Sequence, residues 1–381
     1  MKRVIIILLA LLLTGCSSGE ISADSAEILM INVGKGDAIL AFSNDKTYLI
    51  DTGKPEAFGR VCAALEDNGV QKLDGVFITH ADDDHVGGLS LLVDAGYKID
   101  RIFASGYCIE YKEEKHPAVV QAKRLGKEVE WLYAGDSVDE LFYVYAPDRL
   151  FEDKEDNNSL VMMMKTKSGR ILLTGDMEYP QEAALMSSGA DLACEVLKVP
   201  NHADDDTLSS LLIGAARASV ALISTSSYEK PETPDPKLVE RLEAAGVEVY
   251  YTEFSNMGIR VSMTEAGISV SYETWKNAPD IPSGVTISDV LPDDDLIVIE
   301  CEKDTDVSLW QIFSDKGEEV FVFKKGQVLK KGQTVIGTNT SKEGSYDILW
   351  DDNNVIHNKK TDNITLLDGY GRQVAWKWNG R

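Results

Sequence analysis

The sequence predicts an α/β domain followed by a small all-β sandwich. From residue 27 to 275, short β-branched runs alternate with amphipathic stretches, which is an α/β layout. Pro279, Pro282 and Gly284 then punctuate a polar segment, and helical patterns vanish beyond it. The remainder is a series of short apolar runs separated by Gly, Asp and Asn turns, as expected of a sandwich. A chain of 381 residues accommodates two such domains, each with its own core and no need of disulfide staples.

The elements follow in order. Lys2 and Arg3 precede the unbroken apolar run of residues 4–13, the charged and apolar regions of an export signal too short to span a bilayer. The run ends in LTGC, residues 13–16, which resembles the lipobox of bacterial lipoproteins. That resemblance implies a signal peptide over residues 1–15 and a diacylglycerol on Cys16. Residues 16–26 are then a tether to the outer face of the bacterial cytoplasmic membrane. An ordinary secretory signal that happens to end near a cysteine is the plainer alternative.

Within residues 27–275, ILMINV, AILAF, TYLIDTG and GVFITH read as strands, with a helix over residues 58–68. RILLTGD, EVLKVP and VALIST continue the strands, with Tyr179–Ser187 and KLVERLEAAG as helices. Residues 276–284 form the linker. Residues 285–381 carry the strand candidates LIVIEC, VSLWQIF, EVFVF, TVIGT, YDILW, NVIHN, ITLLD and QVAWKW. In its order of strand, Leu309-Trp310, KKGQ turn, ILWDDNN and ITLLDGYG, this tail resembles the lamin-tail domain, an immunoglobulin-like sandwich. The resemblance implies an accessory module with a protein or cell-envelope partner.

A net charge of −25 repels polyanions, so a broad nucleic-acid-binding surface is not expected; a metal-centred site can still admit a phosphate locally. Beyond Cys16, Cys62, Cys108, Cys194 and Cys301 are widely spaced, with no zinc-finger pattern, and are expected to be buried thiols.

The chemistry concentrates after GVFI, where THADDDHVGG occupies residues 79–88. Imidazole and carboxylate suit zinc or manganese, and loops at strand ends are where α/β folds assemble sites. Aspartates alone prove little, because residues 204–206 and 293–295 also read DDD. Two of the chain's five histidines bracketing the triplet, ahead of a glycine pair that permits a close turn, carry the metal reading.

HxDxDH followed by GG resembles the metallo-β-lactamase superfamily, and most closely the hydrolase domains of the ComEC type. NVGKGDA (residues 32–38), LIDTG (49–53), NNSLV (157–161), LLTGD (172–176) and VLKVPNH (196–202) match that family's segments in order. The resemblance implies an αββα sandwich with two divalent ions, zinc or manganese. It implies that His80 and Asp82 hold one ion, that Asp84, His85 and His202 hold the other, and that Asp176 bridges them. Asp84 is also the implied proton acceptor, and Asp51 a carboxylate orienting a ligand. Alone, Asp51 and Asp176 would read as turn formers and His202 as an ordinary polar histidine.

Lys35, Asn158, Ser159 and Lys198 are candidates for contacting substrate or supporting the ligands. The family's third ligand to the first ion falls at residues 157–159, where no histidine stands. His116, in KEEKHP, reads as a surface residue, and His357 receives no role. Lys35 replaces the family's glutamine, Asn201 and Ala203 alter its HHGS segment, and Asp204 adds negative charge. The expected activity is hydrolysis of a phosphodiester or another small substrate. A non-catalytic lipoprotein acting through its sandwich is the alternative, and β-lactam hydrolysis fits the fold name alone.

Overall fold

The computed structural model describes residues 23–227, 230–316 and 319–380. The signal peptide, Cys16 and most of the tether lie outside the described residues. Among the described residues no helix is long and apolar enough to cross a membrane.

Two sheets stack face to face. The first runs, edge to edge, Gly267–Glu273, Gly258–Thr264, Ala26–Ile31, Ile39–Ser43, Lys46–Ile50, Gly75–Ile78, Ile102–Ser105 and Val129–Leu132. The second runs Glu248–Tyr251, Val220–Ile223, Val196–Lys198, Gly169–Leu173, Val161–Thr166, Phe142–Ala146 and Ser137–Val138. Period-two alternation sorts each strand's side chains into layers. Ile28 and Met30 face the opposite sheet, where they join Met162, Met164, Ile171 and Leu173. Leu29 and Ile31 face outward under Phe58, Val61 and Leu65 of the helix Phe58–Asp67. On the far side, Leu172, Leu197 and Ala221 pack under Leu185, Leu212, Leu238 and Leu242 of the helices there. The layers are therefore αββα. Between the sheets Phe77 and Phe103 stack at 4.5 Å, and Phe142 meets Tyr48 edge-on at 5.1 Å. Each buried ring contributes about 1.5–3 kcal/mol.

The pairings place the site. Lys46–Ile50, Gly75–Ile78 and Ile102–Ser105 are mutually parallel, as are Gly169–Leu173, Val196–Lys198 and Val220–Ile223 in the other sheet. Both parallel groups release their chains at carboxyl ends, where open α/β sheets build sites. Asp51 and His80 leave one sheet there; Asp176, His202 and Ser224 leave the other.

The C-terminal strands form two four-stranded sheets around Ile297, Ile299, Trp310, Ile312, Ile336, Trp350 and Ile364, with a two-stranded ribbon of Thr305–Asp306 and Val328–Leu329 beside them. NVIHN, expected as a strand, is not one. The amides of Val355 and Ile356 go to the buried carboxylate of Asp295 at 3.3 and 2.8 Å instead of to a neighbouring strand. The sandwich sits on the helix Phe58–Asp67, where Gly59 faces the Gly369 backbone and Lys325 reaches Glu66 at 3.3 Å. The linker is tied to the same helix through Asp67, which accepts from the Lys276 amide at 2.9 Å and from the Asn277 side chain at 2.7 Å. A cavity of about 670 Å³ lies along this junction, and none of the candidate ligands lines it. Cys62, Cys194 and Cys301 are buried thiols, whereas Cys108 is half-buried.

Candidate metal centre

The motif after Gly75–Ile78 divides between two groups of donors. His80 follows the strand, Asp82 stands at the N-cap position of a one-turn helix, Asp83–Val86, and that turn carries Asp84 and His85 to the second group of donors. The glycine pair that follows is not there for left-handed backbone. Gly87 and Gly88 have φ of −60° and −76°, and what they provide is room. A Cβ on Gly87 would meet the Asp83 carbonyl at 2.4 Å, and one on Gly88 the Thr52 carbonyl at 2.4 Å.

One group is Asp84, His85, Asp176 and His202, whose donor atoms lie within 4.8 Å of one another. Asp176 Oδ2 stands 3.1 Å from His85 Nε2 and 3.0 Å from His202 Nε2, and Asp84 Oδ2 is 3.5 Å from His202 Nε2. The other group is His80, Asp82 and Asp156, with both carboxylates 3.7 Å from His80 Nε2. The His80 and His85 rings are 4.1 Å apart between centroids, so the groups adjoin. By distance Asp176 belongs with the His85 group.

The donor set fits divalent ions. The Nε2 atoms of His80, His85 and His202 are buried and make no hydrogen bond, although carboxylate oxygens face each of them. Buried polar atoms are almost always satisfied, so three convergent orphans beside carboxylates mark a place for a cation. Two nitrogens and two oxygens in one group suit zinc or manganese; one nitrogen and two oxygens make the other harder.

The other face of each ring is secured. His85 Nδ1 lies 2.8 Å from Asp51 Oδ2, and Asp51 also accepts from the Thr79 amide at 2.8 Å and hydroxyl at 2.7 Å. Asp51 thus orients His85 and leaves its Nε2 directed at the site. His202 Nδ1 is 2.9 Å from the Ser224 hydroxyl and 3.1 Å from its carbonyl. Asn201, His202 and Ala203 all have φ between 43° and 66°, a left-handed run costing about 1–3 kcal/mol per residue. Asp204 N to Asn201 O at 2.9 Å and Asp235 N to Ala203 O at 2.8 Å hold it in place.

Charge follows geometry. Burial alone would neutralise His85, yet Asp176 and Asp51 raise its pKa well above the usual value. His80 and His202 are raised in the same way, against burial, by Asp82 and Asp176 respectively. Burial would raise the carboxyls of Asp84 and Asp176, but the His202 and His85 rings hold both below the ordinary range. Asp156 is raised, first by burial and then by Asp176. Burial and Asp206 push Glu178 up to about 7 against the pull of its partner Lys154.

Asp156 is the residue that sequence reasoning missed. The expected ligand position at residues 157–159 instead supplies scaffold. The Asn157 side chain accepts from the Gln181 amide at 3.2 Å, Asn158 clamps Phe151 through both backbone groups at 2.9 Å, and the Ser159 hydroxyl accepts from the Asp176 amide at 3.1 Å. Asn158 and Ser159 are fully buried and hold loops, as expected of residues that support the ligands. Lys198 is 1% exposed and out of a substrate's reach. Lys35 is at the mouth, with Nζ 3.4 Å from Asp84 Oδ2. His116 is not a surface residue: it is buried against Trp131, its side chain accepts from the Ala118 amide to cap the helix Pro117–Arg124, and burial lowers its pKa to about 4.

With this geometry in view, the family profile described as the metallo-beta-lactamase superfamily matches residues 31–227, more than half of the chain, and the chain belongs to that superfamily. Among its relatives are ComE operon protein 3 of Bacillus subtilis, 28% identical over 261 residues, and Recombination protein 2 of Haemophilus influenzae, 24% identical over 265 residues. These alignments cover 62% and 68% of this chain and 32% of each relative, so the chain spans about a third of their length. The resemblance to ComEC-type domains is borne out by these matches. Among solved structures, the metallo-beta-lactamase fold protein YhfI from Bacillus subtilis aligns at a TM-score of 0.43 and 13% identity, over 63% of this chain and 99% of that one.

Proposed function

We propose that this protein is a metal-dependent hydrolase of phosphodiesters that uses two divalent ions, zinc or manganese. The observation that carries the reading is the convergence of three buried, unbonded imidazole nitrogens with Asp82, Asp84, Asp156 and Asp176 at the carboxyl ends of both sheets. His80, Asp82 and Asp156 would hold one ion, and Asp84, His85, His202 and Asp176 the other. When bound, such a pair supplies Lewis acidity and an acidified water nucleophile.

The chain's own groups do the rest. Asp84 is the most open carboxylate of its group and so faces the substrate, where it orients the nucleophile and takes its proton. The lowering of its carboxyl by His202 and His85 makes it a weak base until those imidazoles are neutral. Lys35 stands at the same mouth and offers its ammonium to a phosphoryl oxygen. The name of one relative, which refers to recombination, favours a nucleic-acid phosphodiester. The net charge of −25 favours a short segment or an end over an extended duplex.

The lipobox-like LTGC favours export and anchoring through Cys16 at the outer face of the cytoplasmic membrane. A partner for the sandwich is favoured by Trp376 and Trp378, 58% and 53% exposed and two residues apart on its last strand. Co-sedimentation with purified cell envelopes that is unchanged in a Trp376→Ala/Trp378→Ala chain argues against that partner.

The experiment is hydrolysis of bis(p-nitrophenyl) phosphate and of single-stranded and duplex DNA by the full chain in detergent, with manganese or zinc, beside Asp84→Ala. Metal-dependent turnover lost in the variant supports the reading. Two bound ions without turnover of any of the three substrates refutes the phosphodiester.

A further inference from the structure

Behind the Asp84 group lies a closed circuit of buried side chains. The Lys198 ammonium, at the end of Val196–Lys198, donates to the Gly175 carbonyl at 2.8 Å and stands 2.5 Å from Asp37 Oδ2 and 3.3 Å from Asp176 Oδ1. Asp37 Oδ1 accepts from the Ser224 hydroxyl at 2.5 Å. The Ser224 oxygen faces His202 Nδ1 at 2.9 Å, and His202 Nε2 returns to Asp176 Oδ2 at 3.0 Å. All five residues are buried.

An ammonium withdrawn from water costs several kcal/mol unless it is paired. Lys198 is paired twice, and both partners have a second role. Asp37 is a carboxylate beside a cation and therefore only accepts, so the Ser224 proton must point at it. That leaves the Ser224 oxygen as an acceptor, alongside its own carbonyl, for a proton on His202 Nδ1. The imidazole then carries its lone pair on Nε2, directed at the candidate ion. At the other end of the circuit, Asp176 Oδ1 is engaged by Lys198, which leaves Oδ2 toward His85 and His202.

We propose that Lys198 is a positioning residue for the second ion, selecting the ligand oxygen of Asp176 directly and the ligand nitrogen of His202 through Asp37 and Ser224. The inference rests on the metal-centre reading and extends it: a cation that no substrate can touch sets the geometry of two ligands on different loops.

The test is manganese binding to the metal-free full chain by equilibrium dialysis, together with the electron paramagnetic resonance signal of a spin-coupled manganese pair. Partners that orient metal ligands typically contribute about 10–100-fold in affinity. Lys198→Met should weaken one of two ions by about that factor, leave the other unchanged and move the appearance of the coupled signal to about 10–100-fold higher manganese. Ser224→Ala, which keeps every charge in place, should weaken the same ion about tenfold. Repeating both in a His80→Ala background, which removes the other group, identifies the ion affected. Circular dichroism reports folding, and if Lys198→Met does not fold, Ser224→Ala decides the matter. Variants that bind both ions as tightly as the wild type, with the coupled signal intact, overturn this inference alone. A wild-type chain that binds no manganese overturns the metal reading and this inference with it.

Discussion

The two halves of the centre are built differently. His85 and His202 each have a fixed partner on Nδ1, and Asp176 is held by Lys198 and by the Ser159 hydroxyl, so that half is organised by four buried groups from separate segments. In the other half, His80 Nδ1 has only the Thr79 hydroxyl at 3.2 Å, the Asp82 side chain is 32% exposed, and Asp156 is steadied by Lys154 at 3.1 Å and Asn201 at 3.5 Å. Rigid ligands lose less entropy on binding, so the half around His202 should hold its ion more tightly, and the half around Asp156 should adapt to substrate and exchange its ion. The difference follows from topology: the tight half draws on strand ends of both sheets, and the loose half on one strand end and a loop.

The sharpest break in that comparison comes from His202→Ala. It should remove the tight ion and reduce turnover more than about a hundredfold, a larger effect than changing a group that only orients a ligand. Metal content by mass spectrometry beside the rate checks it, and retention of two ions would refute the assignment. Asp156→Ala should remove only the loose ion, leaving about one per chain, whereas Asp156→His should restore two and shift preference toward zinc. If Asp156→Ala keeps both ions, the missing ligand lies elsewhere.

Asp51→Asn should weaken the tight ion about 10–100-fold, because Asn cannot accept from Thr79 and His85 through both side-chain positions. Equal weakening of both ions would mean that the comparison between the halves is wrong.

Acid should act on the two charge states in opposite senses. The raised histidines give the ion-free chain stability that is full below about pH 6.5 and is lost as pH rises through their folded values. Asp37, Asp84 and Asp176, lowered against burial by Lys198 or by the histidine rings, give stability present above about pH 4 and lost on acidification. The ion-free chain should therefore be most stable between these limits. Ions must displace the histidine protons, so stabilisation by manganese should grow with pH. Urea midpoints from pH 4 to 9, with and without manganese, read this directly, and a metal effect independent of pH would contradict it.

The smallest effect is expected at His116, which belongs to neither group of donors. His116→Ala should cost about 1 kcal/mol for the lost helix cap, seen in urea unfolding, and leave metal content unchanged.

Much of this was legible in the sequence. Alternating runs gave the α/β layout, the family resemblance implied the αββα layers, and ordered motifs located the strand ends that carry Asp51, His80, Asp176 and His202. Asp156 was hidden because carboxylate is the commonest polar group of this acidic chain, and only the turn at Glu155–Asn158 brings it to His80. Lys198 was a candidate from its motif, but its partners were not legible, and Ser224 and Asp37 were hidden because they are distant in sequence: Asp37 joins Ser224 across 187 residues. His116 misled because a charged neighbourhood says nothing of the Trp131 ring that buries it. The glycine pair was found for the wrong reason, since close approach to Thr52 and Asp83, and not backbone freedom, excludes a side chain there.

The most direct test of the account is the number of manganese ions bound per chain by wild type and by His202→Ala, read alongside hydrolysis of bis(p-nitrophenyl) phosphate. The account predicts about two ions and turnover in the wild type, and one ion with turnover lost in the variant. Equal metal content and equal rates in the two proteins would contradict it.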